Sequence, residues 1–109
     1  MFRAMTEREA RIVKNEVLFR EVNERVRDVV PPEGGIDFIC ECGDEACTDR
    51  VTLTAAEYEQ IRADPVKFLI KPGHELLEVE NVIEEHDRFF VVRKHAEEQV
   101  IARQTDPRA

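Results

Sequence analysis

Cys40, Cys42 and Cys47 are the only cysteines of the chain, and they fall within eight residues as Cys-x-Cys-x4-Cys. His74 follows later, directly after Pro72-Gly73. Three thiols and one imidazole are the donor set of a closed tetrahedral zinc site. In an extended segment alternate side chains share a face, so Cys40 and Cys42 can reach one ion. Gly43 eases the bend that must follow, which lets Cys47 fold back as a third ligand. The spacing differs from the commoner Cys-x2-Cys knuckle. Three cysteines packed as small hydrophobes would need no metal at all, and a redox-active thiol group or an iron–sulfur centre is the remaining chemistry open to them. Zinc is the expected cofactor, with Cys40, Cys42, Cys47 and His74 as the expected ligands.

The local charge bears on that choice. Glu41, Asp44, Glu45 and Asp49 crowd the cysteines, with only Arg50 to offset them. Nearby carboxylates raise a thiol's pKa and suppress the thiolate that does redox chemistry, whereas a bound divalent cation deprotonates its ligands outright. Three thiolates with a neutral imidazole already carry net negative charge, so backbone N–H groups of the bend must compensate. His74 is preferred as fourth ligand because Pro72-Gly73 makes a tight turn that can fix one side chain. His86 in an acidic turn and His95 near the end of the chain are weaker candidates. Asp44, Glu45 or a water could also complete the site, and a water would open it to catalysis. No Gly-rich phosphate loop, G-x-S-x-G elbow or H-E-x-x-H motif is present. The leading reading is a small structural zinc-binding protein acting as a regulatory or protein-interaction module. A thiol-based redox sensor is the alternative, and a small metal-dependent enzyme comes third.

These residues need elements to position them. Thr6-Glu7-Arg8-Glu9 is a capping box that opens a helix. Ile12, Phe19, Val22, Val26 and Val29 then recur with helical spacing, widened by Val13, Leu18 and Val30. Pro31-Pro32 ends the helix, giving a rod over residues 6–30 of roughly 36 Å. The stripe also fits heptad a/d positions, with Asn15 at a d position where a buried asparagine could set the register of a helical pair. Packing of the stripe on the protein's own sheet is the favoured reading. Self-association or a protein partner through this helix is the other.

After the linker Pro31-Pro32-Glu33-Gly34-Gly35 the pattern changes to strands. Residues 36–40 and 51–53 predict a hairpin with the cysteines around its bend. Thr54-Ala55-Ala56-Glu57 is a second capping box, with Leu53 and Tyr58 placed for a hydrophobic staple, and its helix should stop near Asp64-Pro65. Residues 67–71 predict a strand ending at Pro72-Gly73-His74. Residues 78–84 and 89–94 predict a last hairpin, although 75–85 could also be helical. A helical turn from Ala96 and a loose tail over 104–109 complete the pattern. The expectation is one α+β domain spanning 1–109, with a long N-terminal helix, a small antiparallel sheet, a short intervening helix, a zinc-stapled hairpin and a metal-binding body over 36–95.

Composition narrows the function classes. Hydrophobic residues make up 42% and charged residues 37% of 109 residues, as for a globular domain with a heavily charged surface. Residues 1–28 hold seven Lys/Arg against six Asp/Glu, while the rest hold nine against eighteen. So acidic a body repels phosphate backbones, and no nucleic-acid binding is expected. Nothing approaches the roughly 18 apolar residues of a membrane span. Met1-Phe2-Arg3-Ala4-Met5 lacks the apolar core of a signal peptide, so no membrane association and a cytoplasmic location are expected.

Several runs carry a resemblance: Asn15-Glu16, Phe19-Arg20 and Asn23-Glu24, the Cys40-Glu41-Cys42 and Cys47 cluster, Leu53-Thr54-Ala55-Ala56-Glu57-Tyr58-Glu59, Pro72-Gly73-His74 and the strand over 89–94. Over residues 12–108 the chain resembles a family of short, functionally uncharacterised proteins of actinobacteria and their relatives. The resemblance implies that the cysteines and the Pro-Gly-His turn belong to one unit, and it implies no particular activity.

Overall fold

In a computed structural model of the chain, residues 5–31 and 33–108 are described. The architecture is α+β: helix α1 (Glu7–Val29), strands β1 (Gly35–Ile39) and β2 (Arg50–Thr54), helix α2 (Ala55–Arg62), strands β3 (Lys67–Ile70), β4 (Glu80–Glu85) and β5 (Phe90–Lys94), and helix α3 (Ala96–Gln104). The strands form two antiparallel sheets where one was expected. One is the β1–β2 hairpin and the other has the order β3-β5-β4. No helix among the described residues is long and apolar enough to cross a membrane.

Local signals set most boundaries. Thr6 and Thr54 each accept the N–H of the residue three positions on, and Glu9 and Glu57 reach back to the N-cap N–H, so both capping boxes form. Leu53 and Tyr58 are both fully buried at the start of α2, and Tyr58 stacks on Phe38 with ring centroids 4.3 Å apart. In β1 and β2 the inward residues Ile36, Phe38, Val51 and Leu53 alternate with exposed or half-buried ones, as a sheet with one wet face requires. Residues 80–85 are strand, not helix, with a bulge between Val82 and Glu84. The predicted turn at Ala96 is a nine-residue helix that packs Ala102 inward.

The inner face of α1 differs from the predicted stripe. Its buried residues are Glu9, Ile12, Val13, Glu16, Arg20 and Asn23, whereas Leu18, Val22 and Val29 are exposed and Phe19 is half-buried. The spacing of four, three, four and three takes in Glu16, Arg20 and Asn23 because their partners come from distant parts of the chain. Lys94 of β5 pairs with both Glu16 and Glu80 in full burial. Burial raises the Glu16 carboxyl well above the usual range, while Glu80, also opposed by burial, is held below it by hydrogen bonds from Glu16 and Lys94. One proton on Glu16 leaves the trio neutral, which is how three ionisable groups can share a dry site. Arg20 lies over the Phe68 ring, 4.6 Å from its centroid, and donates to the carbonyls of Pro65 (2.7 Å) and Ala102 (3.0 Å).

Asp106 and Arg108 are also held. Asp106 pairs with Arg62, and Arg108 bridges Glu24 (2.9 Å) and Glu59 (2.7 Å). Residues 105–108 therefore dock against α1 and α2 through ions, where a loose tail was expected. The expected linker includes Pro32, which lies outside the described residues, as do Met1 to Ala4 and Ala109.

Candidate metal centre

Cys40 and Cys42 continue β1 beyond its last paired residue. The Cys40 N–H donates to Asp49 O (3.0 Å), extending the hairpin ladder, and the Glu41 N–H donates to Leu69 O (2.7 Å) on β3. Residues 40–42 thus join the two sheets. Alternation sends both cysteine side chains to one side, and both are buried. It sends Glu41 to the other, where its carboxylate accepts from Leu69 N (2.9 Å) and Asn23 Nδ2 (2.8 Å). Glu41 therefore leaves the crowd of acids expected around the thiols. Burial raises its carboxyl, opposed by these hydrogen bonds and by Arg62 and Arg20.

The bend is built by short-range polar contacts. Asp44 Oδ1 accepts from Ala46 N (2.9 Å), and Asp44 O accepts from Cys47 N (3.0 Å), so the chain reverses and brings Cys47 back. Gly43 is required by space: a Cβ there would lie 2.4 Å from Ile12 Cγ2 on α1. His74 arrives from the opposite side on the turn that ends β3. Its N–H bonds Lys71 O (3.0 Å), with Pro72 at the second position and Gly73 at φ +89° at the third. That is the pattern of a type II turn, which needs glycine at its third position.

The four expected ligands converge. Their donor atoms all lie within 4.8 Å of one another, close enough to hold a metal ion. His74 Nδ1 is 3.6 Å from both Cys40 Sγ and Cys47 Sγ. His86 and His95 lie elsewhere, at Glu84 (2.9 Å) and Asn81 (3.4 Å). Asp44 is occupied in its own turn, and Glu45 is not among the converging donors.

Backbone N–H groups supply the compensation that the negative charge demands. Lys71 N donates to Cys40 Sγ (3.2 Å), and those of Asp44 and Asp49 favour the thiolates of Cys42 and Cys47. Hydrogen bonding from Cys40, and then from His74 and Asp44 N–H, holds Cys42 down to about 5 against the effect of burial. The bond it gives Cys42, together with burial, pushes Cys40 up, and burial pushes Cys47 up. A coordinated metal would remove the protons that burial favours on Cys40 and Cys47.

Three groups around the site were not read from the sequence as supports. Asp49, expected only as a destabilising acid, places Oδ2 3.3 Å from His74 Nε2. With an ion bound at Nδ1, a carboxylate beside the far nitrogen would favour the tautomer that leaves the Nδ1 lone pair for the metal. Asn15, expected as a register residue, donates to Gly43 O (3.0 Å). Asn23 exchanges two hydrogen bonds with the Ile39 backbone, both 2.9 Å, and holds Glu41. The helical spacing of Asn15 and Asn23, eight apart on one face of α1, was the only available signal, and it does not reveal what lies opposite. No family model, curated protein or solved structure matches the chain, so the site stands on its own geometry.

Proposed function

We propose that the protein is a small structural zinc-binding module in which Cys40, Cys42, Cys47 and His74 hold one Zn2+, and that it regulates or assembles with another protein. The observation that carries this reading is the pair of 3.6 Å separations from His74 Nδ1 to Cys40 Sγ and Cys47 Sγ. Zn–S bonds of about 2.3 Å and Zn–N bonds of about 2.05 Å at the tetrahedral angle put sulfur and nitrogen about 3.6 Å apart. Two of the six donor separations thus match the edge of a tetrahedron around a single ion, and all six lie within 4.8 Å. Iron–sulfur clusters take four thiolates as a rule, and soft sulfur donors with one imidazole suit zinc among divalent ions.

Four protein donors leave no position for water, which supports a structural role over a catalytic one. Bound zinc would supply a cross-link between the β1–β2 bend and the turn after β3. Residues 39–43 are already gripped by Asn15 and Asn23 of α1 and by Leu69 of β3. The cross-link would therefore reach every major layer, as expected where metal binding is coupled to folding.

The test is elemental analysis of protein purified without added metal, paired with titration of its thiols. The expected result is about one zinc per chain, with three thiols that react only after a chelator is added. Metal-free protein whose thiols titrate freely at unchanged stability would refute the reading. Mild peroxide separates the redox-sensor alternative, which requires rapid zinc release and a reversible disulfide. The buried sulfurs of Cys40 and Cys42 support the opposite outcome.

A further inference from the structure

We propose that the outer face of α1, with α3 beside it, is the contact of a symmetric dimer in which a second copy of this chain lies antiparallel across the first. A groove with a volume of about 770 Å³ runs between the two helices. Half-buried Ala10, Val17 and Ile101 line it together with the exposed Arg11, Lys14, Leu18 and Glu21. Leu18 is 55% exposed and Val22, one turn further along the same side, is 40% exposed, so α1 carries an apolar strip outside its own core. The inner face of α1 is fully engaged by its own domain, so the outer groove is free for another chain.

Charge complementarity selects the occupant. Lys14 and Glu21 are seven residues apart, two helical turns or about 10.5 Å, and so lie on one side of α1. Among the described residues neither has an ion-pair partner in its own chain. A two-fold axis beside Leu18 sets Lys14 of one copy against Glu21 of the other, and Val17 against Leu18 of the other. The same operation generates the reciprocal pairs, so one patch satisfies itself, as an isologous interface must. In a parallel arrangement Lys14 would face Lys14 and Glu21 would face Glu21, which like-charge repulsion disfavours. Leu18 of each copy then enters the groove of the other, beside Ile101.

Sedimentation of the metal-loaded full chain over a wide dilution series tests this. The expected result is twice the chain mass at high concentration, falling to the chain mass on dilution. Leu18→Asp, on a surface that the fold does not use, should give a monomer throughout with an unchanged circular dichroism spectrum. Lys14→Glu and Glu21→Lys should each weaken association about tenfold, because every dimer loses two attractions and gains two repulsions. The double reversal should recover most of that loss, since opposite charges again face each other. A monomer at every concentration, a Leu18→Asp dimer, or a double reversal weaker than either single change would each overturn the proposal.

Discussion

Replacing Asp49 with alanine removes no metal donor, yet it should loosen the metal. The carboxylate sits 3.3 Å from His74 Nε2, while the other ring nitrogen, Nδ1, approaches the sulfurs. In the metal-bound protein its expected effect is to favour the ring tautomer whose Nδ1 lone pair is left for the ion beside Cys40 and Cys47. Outer carboxylates of this kind typically contribute 10- to 100-fold in metal affinity. Here the contact is longer than an ideal charge-assisted hydrogen bond, Asp49 is 43% exposed, and Lys71 Nζ competes for it at 3.7 Å. These features place the loss at the low end, about tenfold or 1.4 kcal/mol. Competition against a chromophoric chelator at neutral pH measures it, with Lys71→Ala as the control. An exposed pair at that distance contributes little, so the control should change affinity by no more than about twofold. Asp49→Ala protein that holds zinc as tightly as the wild type would refute the claim that Asp49 orients the imidazole. A loss as large as that of His74→Ala would refute it too, because Asp49 would then be acting as a ligand.

Cys40→Ser, Cys42→Ser, Cys47→Ser and His74→Ala should each lose zinc and melting temperature together, while His86→Ala and His95→Ala keep both; elemental analysis with thermal melts checks this. Asn23→Ala leaves the Ile39 backbone and the buried Glu41 carboxylate short of partners, and should cost about 3 kcal/mol in urea unfolding. Gly43→Ala drives a methyl group into Ile12 and should cost about 1–3 kcal/mol, and a cycle with Ile12→Ala should show coupling between the two sites. Arg108→Ala should cost about 1 kcal/mol at neutral pH and progressively less in acid. Burial pushes Glu24 up, but hydrogen bonds from Arg108 and Arg62 hold it below its ordinary value, and the bond from Arg108 lowers Glu59. Lowered carboxylates contribute fully above their unfolded pKa of about 4.3 and lose that contribution as pH falls through the folded value. The difference between wild type and Arg108→Ala, taken from urea midpoints at a series of pH values, should therefore be flat above about pH 5.5 and shrink below about pH 4.

How much of the fold was legible depended on how local its causes are. Both capping boxes, the hairpin over the cysteines and the tight turn at Pro72-Gly73 are decided within four or five residues, so the sequence alone placed them correctly. The cysteine group was legible for the same reason, since the strand period carries Cys40 and Cys42 to one side and the bend returns Cys47. The choice of His74 over His86 and His95 rested on the rigidity of its turn, and the geometry agrees with it.

The face that α1 turns inward could not be read this way. Hydrophobic periodicity placed Ile12 in the core correctly, but it also assigned Phe19, Val22 and Val29 there, because burying apolar area is the only drive that a single segment displays. Glu16, Arg20 and Asn23 take that position instead, since Lys94, the Pro65 and Ala102 carbonyls, and Ile39 with Glu41 meet them there. Those partners lie 16 to 82 residues away along the chain. A buried charge is prohibitive alone and tolerable when paired, so its burial can be decided only once the partner is in place. Asp49 follows the same logic: by composition it is one more acid beside three thiols, and only the approach of β3 and its turn makes it the support of His74. The sequence by itself picked out the four converging donors and the short-range devices that present them. Tertiary structure decided which polar side chains hold that framework together, because their energies belong to pairs that only the folded chain assembles.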